Sequence, residues 1–353
     1  KINKTTIFPS IYKTYTETGI VYTDGYEQEY TEAQVEALRT NVKTHIKEHG
    51  AVCATMFIDI AISTGGEFVS DYYDADDNIF CYTDSDERAN HQVLIVGWDD
   101  TKEAYIVQNS YGEEFGENGF FYISYDDVRI EEGIYGITEI EQLTADSYDN
   151  IYQYDELGVY DAITMGTSEV YYANVFNREV NTDGKEEYIN EVGLHIINTT
   201  GVEIYVNSED GEFVDSSNNS KLKLVSSGEI LEPGYHVIEL NATEDTKLTG
   251  DKFIVAVKAI NQEGAYIPIE CNPTDSGLSY FQTSFDTATA NEGESFYSGN
   301  GINWNEINGV KVGSLAVLKN TNVCVRAFTK YSDPVPTTTP VTGVELDKNS
   351  IVL

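Results

Sequence analysis

The sequence has few positive charges. Only 21 of its 353 residues are Lys or Arg, against 60 Asp or Glu, which gives a formal net charge of -39. Nucleic acids and anionic lipid headgroups both attract basic residues, so this balance argues against a nucleic-acid partner and against binding to an anionic membrane. We interpret most of the acidity as a solvated surface that favours solubility.

Other features are also scarce or absent. Four Cys in a chain of this length are too few for a disulfide scaffold. The sequence has no signal peptide and no apolar run long enough to span a membrane, so we predict no membrane insertion. The first residue is Lys1 rather than Met, and we expect the ends to be processing sites or the limits of a partial sequence.

Neither a cofactor nor a metal site is predicted. The acidic clusters within residues 71–77 and 84–87 come nearest to a calcium site, but neither follows the regular ligand spacing of a calcium-binding loop. The apolar fraction of 41% is sufficient for ordinary hydrophobic cores, and the length suggests about two domains.

Residues 1–145 combine one helix with several strands. Thr31 and Gln34 form a predicted capping box, and an apolar stripe of Val35, Leu38, Val42 and Ile46 indicates a helix that ends near Gly50. Apolar runs predict strands at 52–60 and near 92–98, 103–109 and 119–125, with an acidic loop at 65–88.

From about residue 150 the pattern changes to short strands separated by turn residues, which is typical of a β-sandwich. These strands are predicted at 170–175, 191–197, 202–206, 235–240, 253–259 and 323–328. The sandwich spans 150–330, a Pro- and Thr-rich linker spans 331–340, and residues 341–353 begin a strand pair too small to bury its own apolar face.

His91 begins one apolar strand and Asn109 ends the next. A Cys or Ser nucleophile needs a base near neutrality to take its proton, and a third group that fixes the tautomer of that base. Two adjacent antiparallel strands can bring His91 and Asn109 together for these tasks. The alternative is a histidine that begins a buried strand and an asparagine that caps a turn.

The surrounding residues favour the first interpretation. Residues 90–98 (NHQVLIVGW), 105–112 (YIVQNSYG) and 115–121 (FGENGFF) resemble the Asn/Asp-His-Ala-Val, Lys-Asn-Ser-Trp-Gly and Trp-Gly-Glu-Asn-Gly-Tyr motifs of papain-like cysteine peptidases. The resemblance covers roughly residues 1–140, the C-terminal half of that catalytic domain. It implies that His91 is the general base and Asn109 its orienting group.

The same resemblance implies a substrate-binding surface around the pair, for which we name Thr55, Asn90, Gln92, Tyr111 and Phe115. Thr55 is expected nearest the S2 pocket. Gln92 replaces the usual Ala, while Tyr111 and Phe115 replace two Trp, the first of which shields the His–Asn hydrogen bond. Both replacements are aromatic, so we expect water still to be excluded from the His–Asn hydrogen bond.

The family's nucleophile is missing from this sequence. No Cys-Gly-x-Cys-Trp helix start occurs here, and neither does the Gln of the oxyanion hole. Cys53 and Cys81 do not begin helices and are expected to be buried structural residues, and the pairing of Cys271 with Cys324 stays open. We therefore expect a fragment that is inactive alone and whose partner is the N-terminal half carrying the Cys. That half is either a separate processed chain or lies outside this sequence.

The second part of the chain resembles another module. Residues 250–257 (GDKFIVAV), 293–296 (GESF) and 301–304 (GINW) are similar to the lectin-like sandwich that follows the catalytic domain in some bacterial surface cysteine peptidases. A cell-wall glycan is a candidate partner, with Trp304, Tyr297, Asn303 and Asp210 as candidate contacts. The alternative is that these residues serve the core and turns of the sandwich.

The sequence thus predicts an α+β fold: the β-rich right-hand half of a papain-like domain, then an all-β lectin-like sandwich. Residues 341–353 resemble the start of a bacterial Ig-like domain, which suggests an extracellular or bacterial cell-surface location. The predicted parent activity is cysteine-type endopeptidase cleavage of a peptide or protein substrate. The alternative is a non-catalytic surface adhesin or glycan-binding protein with a degenerate peptidase domain.

Overall fold

The computed structural model describes residues 1–25, 28–62, 68–144, 147–179, 184–271, 288–312 and 316–332. Apart from residues 331 and 332, the predicted linker and the predicted Ig-like segment lie outside these ranges. Within them, no helix has the length and apolar character needed to cross a membrane.

The first domain contains one helix and thirteen strands among the described residues. They are β1 (Ile2–Ile7), β2 (Tyr12–Thr16), β3 (Gly19–Thr23), β4 (Glu29–Tyr30), α1 (Glu32–His49), β5 (Val52–Met56), β6 (Ala61–Ile62), β7 (Phe68–Val69), β8 (Tyr73–Asp74), β9 (Ile79–Phe80), β10 (His91–Asp99), β11 (Ala104–Gln108), β12 (Phe120–Ser124) and β13 (Ile134–Ile140).

The helix begins where the sequence predicts. The Thr31 side chain accepts from the Gln34 backbone N–H, and the Gln34 side chain accepts from the Thr31 N–H, so the capping box is confirmed. Gly50 ends the helix with a positive φ of 102°. Val35 and Val42 are buried, so the predicted apolar stripe faces the core.

The second domain is a β-sandwich. Its described strands are β14 (Asn150–Tyr152), β15 (Asp161–Thr164), β16 (Glu169–Asn177), β17 (Glu186–Ile196), β18 (Thr200–Asn207), β19 (Lys223–Leu231), β20 (Gly234–Glu239), β21 (Lys247–Leu248), β22 (Lys252–Ile260), β23 (Tyr266–Glu270), β24 (Ser295–Ser298), β25 (Asn305–Glu306), β26 (Lys311–Val312), β27 (Ala316–Val317), β28 (Asn322–Val323) and β29 (Val325–Ser332).

Two sheets enclose the core of this sandwich. One has the order β19-β18-β22-β16-β24-β25, and the other includes β14-β29-β17-β20. Ile204 and Val257 from the first sheet and Leu194 and Ala327 from the second belong to one buried cluster. The predicted fold class, β-rich α+β followed by an all-β sandwich, is confirmed.

The larger sheet is continuous across both domains. Its order is β14-β29-β17-β20-β1-β13-β5-β10-β11-β12-β9-β8, and β1 is the strand shared between them. At the junction Lys4 pairs with His236, the Ile7 N–H donates to the Pro233 carbonyl at 3.0 Å, and the Tyr235 N–H donates to Thr5 Oγ1 at 2.7 Å. This continuity is not predictable from the sequence, because the two parts differ in pattern and the junction is a single paired residue.

Candidate active site

One hairpin places His91 and Asn109. β10 and β11 are antiparallel with Leu94 opposite Gln108, so Asn109 follows the last paired residue and His91 lies three residues before Leu94. Side chains alternate across a strand, and His91 therefore points to the same face as the buried Val93. Diagonal neighbours on one face of an antiparallel pair are within reach of long side chains.

The two side chains are in contact. His91 Nε2 lies 2.8 Å from Asn109 Oδ1, and the same oxygen accepts the Ser110 backbone N–H at 2.8 Å. Because a carboxamide oxygen only accepts, Nε2 must carry a hydrogen. Nδ1 is then the basic nitrogen of the neutral ring, and no side chain among the described residues bonds to it.

Asn90 joins two chain segments immediately before His91. Its Oδ1 accepts the Ile58 backbone N–H at 2.9 Å, and its Nδ2 donates to the Ile58 carbonyl at 3.0 Å. The residue is exposed and its amide does not bond to the imidazole. Its predicted contact with substrate stays a prediction.

Two aromatic residues cover the His–Asn pair, but only one is accessible. The Tyr111 ring centroid lies 5.2 Å from that of His91, and Tyr111 is 40% exposed. Phe115 is completely buried, with Tyr111 and Phe121 against it at 5.7 and 5.1 Å. The prediction that Phe115 contacts substrate is corrected: its turn directs the ring inward, where it supports Tyr111 from below.

The sequence reading missed the rest of this aromatic cluster. Phe68 stacks on Tyr111 at 6.4 Å and meets Phe115 edge-on at 4.9 Å, while Tyr73 stacks on Phe115 at 5.6 Å. Both residues come from the segment interpreted as an acidic loop, which contains the short strands β7, β8 and β9. The recurring aromatic residues among its acidic ones were the signal for buried structure.

Thr55 and Gln92 are cross-strand partners on the opposite face of the sheet from Val93. Thr55 is half-buried, and Gln92 is exposed and donates from Nε2 to the Tyr135 hydroxyl at 3.1 Å. Asn109 and Tyr111 lie on the β11 side of His91. Thr55 lies on its β5 side and Gln92 follows it in β10, and both side chains are on the face opposite to the imidazole. Their predicted contact with substrate stays a prediction.

None of the four cysteines occupies a position suited to a nucleophile. Cys271 and Cys324 are buried, and Cys53 lies beside Leu94 on the face opposite to His91. Burial, with the nearby Asp127 carboxylate, raises the pKa of the Cys81 thiol to about 11, so it is not a thiolate near neutrality.

A second concave surface lies in the sandwich domain. Trp304 stacks on Phe213 with centroids 4.2 Å apart and an interplanar angle of 17°, and Phe296 meets Phe213 edge-on at 5.1 Å. These three rings line a groove of about 760 Å³ that also includes Asn303 and Asp215. We call it the Trp304 groove. It contains two of the four residues predicted to contact a glycan.

The other two lie elsewhere. Tyr297 packs against the main sandwich core, on the opposite face of β24 from Phe296. Asp210 pairs with Lys221 and accepts from Asn207 Nδ2 at 2.7 Å, so it closes its own loop. Both are removed from the glycan-contact prediction, because alternation along the strand and local pairing place them in structural roles.

Two known families match different parts of the chain. Residues 11–139 match the papain family of cysteine proteases, and residues 151–329 match the lectin-like domain. A cathepsin B-like cysteine proteinase of Caenorhabditis elegans is 30% identical over 100 residues, which make up 27% of this chain and 25% of that protein. The match thus spans about a quarter of the length of this curated relative.

Two solved structures share the fold. The clostridial cysteine protease Cwp84 after propeptide cleavage superposes with a TM-score of 0.64 and 24% identity, over 83% of this chain and 68% of that one. The second structure contains the cysteine protease and lectin-like domains of Cwp84, described as a surface layer associated protein of Clostridium difficile. It superposes with a TM-score of 0.63 and 24% identity, over 82% of this chain and 61% of that one. At this identity the likeness shows a common fold.

Proposed function

The chain belongs to the lectin-like domain family through residues 151–329, and from this membership and the papain-family match at 11–139 we propose that it is the His–Asn-bearing part of a cysteine-type endopeptidase. The observation that carries the proposal is the 2.8 Å contact between His91 Nε2 and Asn109 Oδ1. A histidine held this way keeps Nδ1 as the nitrogen that accepts and then returns the proton during the reaction.

The proposed reaction requires a thiol from outside this sequence. His91 Nδ1 takes the thiol proton, and the thiolate attacks the carbonyl carbon of the peptide bond. The imidazolium then gives that proton to the leaving amine nitrogen, and a thioester remains. A water molecule, deprotonated by His91, hydrolyses the thioester and restores the thiol. Asn109 acts as a positioning residue, because its oxygen accepts the Nε2 hydrogen in both protonation states of the ring.

An exposed apolar row supports the presence of a second, Cys-bearing half. Ile7, Tyr135, Cys53 and Leu94 are successive cross-strand partners on β1, β13, β5 and β10. Ile7, Tyr135 and Leu94 are 47%, 39% and 38% exposed, on the same face as Thr55 and Gln92. A contiguous apolar face of this kind is characteristic of an interface. We assign it to the half that carries the nucleophile, and we propose that this half reaches His91 around the end of β10, where His91 is the first residue of the strand.

The test is to produce the joined protein. The coding sequence upstream of Lys1 is determined, the longer protein is expressed, and its cleavage of casein is measured under reducing conditions that keep the thiol free. We expect activity that iodoacetamide abolishes and that His91→Ala lowers by at least about 10³-fold, since the base is removed. A Cys at the start of an upstream helix supports the peptidase; Ser or Ala there supports the non-catalytic adhesin.

A matched control distinguishes loss of the base from general damage. His49→Ala removes an exposed histidine at the end of α1 and should leave turnover unchanged. Intact mass and co-purification of an N-terminal fragment test whether the mature enzyme consists of two chains. Full turnover of the His91→Ala protein would refute the proposal.

We also propose a cell-surface location. The support is the likeness to Cwp84, which is described as surface layer associated, together with the lectin-like domain. Fractionation of the source cells, with detection by an antibody against residues 151–329, tests this. Detection only in the cytoplasmic fraction would contradict it.

The second candidate function, glycan binding, is favoured by the Trp304 groove. Aromatic rings stack on the apolar faces of sugars, and Asn303 and Asp215 supply polar groups beside the rings. We expect cell-wall oligosaccharides to quench Trp fluorescence in a Trp98→Phe background, where Trp304 is the remaining tryptophan. Phe213→Ala should weaken binding about tenfold, while Tyr297→Phe should not. Equal binding by both variants would exclude the groove.

A further inference from the structure

A second groove lies beside the aromatic cover of the His–Asn pair. It has a volume of about 730 Å³, and its lining includes Phe68, Val69, Tyr73, Asn78, Glu114 and Glu117. We call it the Phe68 groove. Its side chains come from the 68–78 segment and from the turn between β11 and β12. Tyr111 belongs to the same turn.

The floor of this groove is held in place. The Tyr73 ring stacks on the buried Phe115 at 5.6 Å, and its hydroxyl donates to Asn78 Oδ1 at 2.8 Å. Asn78 Nδ2 in turn donates to the Phe120 carbonyl at 3.1 Å. A surface fixed by packing and hydrogen bonds needs little ordering when a ligand binds, which favours affinity.

The groove lies next to the candidate active site, with Tyr111 between the two. Tyr111 lies between His91 and Phe68, at 5.2 and 6.4 Å from their ring centroids. The Phe68 ring is therefore within about 12 Å of the imidazole. An extended peptide advances about 3.3 Å per residue, so the groove is two to four residues from a bond cut at His91.

The groove combines an apolar floor with a negative rim. The described residues that line it include no Lys or Arg, and among the described residues the exposed Glu114 and Glu117 carboxylates form no ion pair. A side chain with an aliphatic stem and a positive end suits this surface: the stem covers Phe68 and Val69, and the cation reaches the carboxylates.

We propose that the Phe68 groove selects Lys or Arg on the C-terminal side of the scissile bond, two to four residues beyond it. The side follows from the position of the groove: it lies on the β11 side of His91, away from Thr55 on β5, which is predicted nearest the S2 pocket and so beside the residues before that bond. The inference rests on the proposed peptidase function and specifies its substrate class.

Binding to the present chain tests the groove without requiring turnover. Calorimetric titration compares the capped peptide Gly-Ala-Lys-Ala with the same peptide carrying norleucine in place of Lys. We expect the Lys peptide to bind about fivefold more tightly in low salt, because two exposed carboxylates each contribute modestly.

The Glu114→Gln, Glu117→Gln double variant should lose that preference, and Glu113→Gln, an exposed neighbour outside the lining, should keep it. Equal affinities, or a preference that survives in the double variant, would overturn the proposal.

Cleavage by the joined protein separates this inference from the proposed function. If the protein cuts Lys and norleucine substrates with equal kcat/KM, the groove assignment fails and the peptidase stands. If it cuts neither, while the present chain binds the Lys peptide preferentially through Glu114 and Glu117, the peptidase fails and the groove remains a site for basic peptides. A several-fold preference in kcat/KM that the double variant loses supports both.

Discussion

The Asn109 carboxamide oxygen fixes the hydrogen on one nitrogen of His91. We predict that His91 in this chain is the Nε2–H tautomer, and that Asn109→Ala allows a mixture, because the acceptor that selects Nε2–H is gone. Nitrogen-15 NMR of the five histidines at pH 8, assigned with a His91→Gln variant, measures this directly. Asn90→Ala serves as the control, since Asn90 bonds to the Ile58 backbone and not to the ring. A single unchanged tautomer in Asn109→Ala would contradict the assignment.

A second histidine should make the sandwich domain sensitive to acid. Burial, with Arg326 and His236 nearby, lowers the pKa of His195 to about 3. The neutral ring therefore stabilises the fold fully above pH 6.5, and this contribution is lost as the pH falls towards 3. Between pH 7 and 4.5 the wild-type protein should lose about 2–3 kcal/mol more of its free energy of unfolding than His195→Gln.

Urea titrations followed by Trp304 fluorescence in a Trp98→Phe background measure this difference. His49→Gln, at an exposed helix end in the other domain, should follow the wild-type curve. Parallel pH profiles for the wild type and His195→Gln would show that His195 is not responsible.

Site residues could be predicted from the sequence where they lie in a recognisable motif. They could not be predicted where the role of a side chain depends on whether it is buried. His91 and Asn109 could be paired because both lie at the ends of strongly apolar strands in one hairpin. Phe115, Tyr297 and Asp210 were misassigned because whether an aromatic ring or a carboxylate is free depends on what packs against it. Phe115 is buried by aromatic residues that come partly from another segment, and Asp210 is paired with Lys221, and neither contact is evident from the residue types alone.

At the scale of elements, local signals were reliable for α1 and for the apolar strands. The capping box at Thr31 is a local interaction, and β10, β11 and β12 lie within a residue or two of their predicted positions. β1 and β19 were not predicted, because their residues are largely polar and mostly exposed or half-buried. Such strands form because a neighbouring strand pairs with them, which the sequence does not display.

A buried ion cluster joins four segments of the first domain. Glu131 accepts from Arg39 Nε at 2.8 Å and from the Tyr105 hydroxyl at 2.9 Å, and pairs with Lys13 at 2.7 Å. Burial by itself raises the pKa of this carboxyl, but Lys13 and Arg39 outweigh it and lower the pKa to about 2. Glu131→Gln should cost about 3–5 kcal/mol, because two buried cations lose their partner.

Unfolding in urea at pH 7, followed by Trp98 fluorescence in a Trp304→Phe background, measures that loss. The control Asp77→Asn removes an exposed carboxylate that pairs with Lys102 at 3.8 Å and should cost about 1 kcal/mol or less. The gap between the two variants should persist down to about pH 4.5 and narrow as the pH approaches 2, where Glu131 itself becomes protonated. Equal costs for the two variants would contradict the buried-cluster account.

At the scale of the whole molecule, the two domains share a sheet, and Gly234 lies at the junction. Its φ is +137°, and a Cβ at this position would lie 2.2 Å from the Thr5 carbonyl oxygen on β1. Gly19 has a similar φ of +132° with no atom within 4 Å of its Cβ position. Alanine substitutions at the two glycines therefore distinguish two costs. Gly19→Ala carries only the cost of a positive φ in a non-glycine residue, about 1 kcal/mol, whereas Gly234→Ala also disrupts the junction.

We predict that the domains unfold together in the wild type and separately in Gly234→Ala. Trp98 reports on the first domain and Trp304 on the second, so the two single-tryptophan proteins give independent urea midpoints. The midpoints should coincide in the wild type, because unfolding either domain exposes the strand edge that the other covers. Gly19→Ala should lower the urea midpoint reported by Trp98 slightly and leave the two transitions coupled. Gly234→Ala should separate the two midpoints. If Gly19→Ala splits them equally, backbone strain and not the shared sheet is the cause; if neither does, β1 is not what couples the two domains.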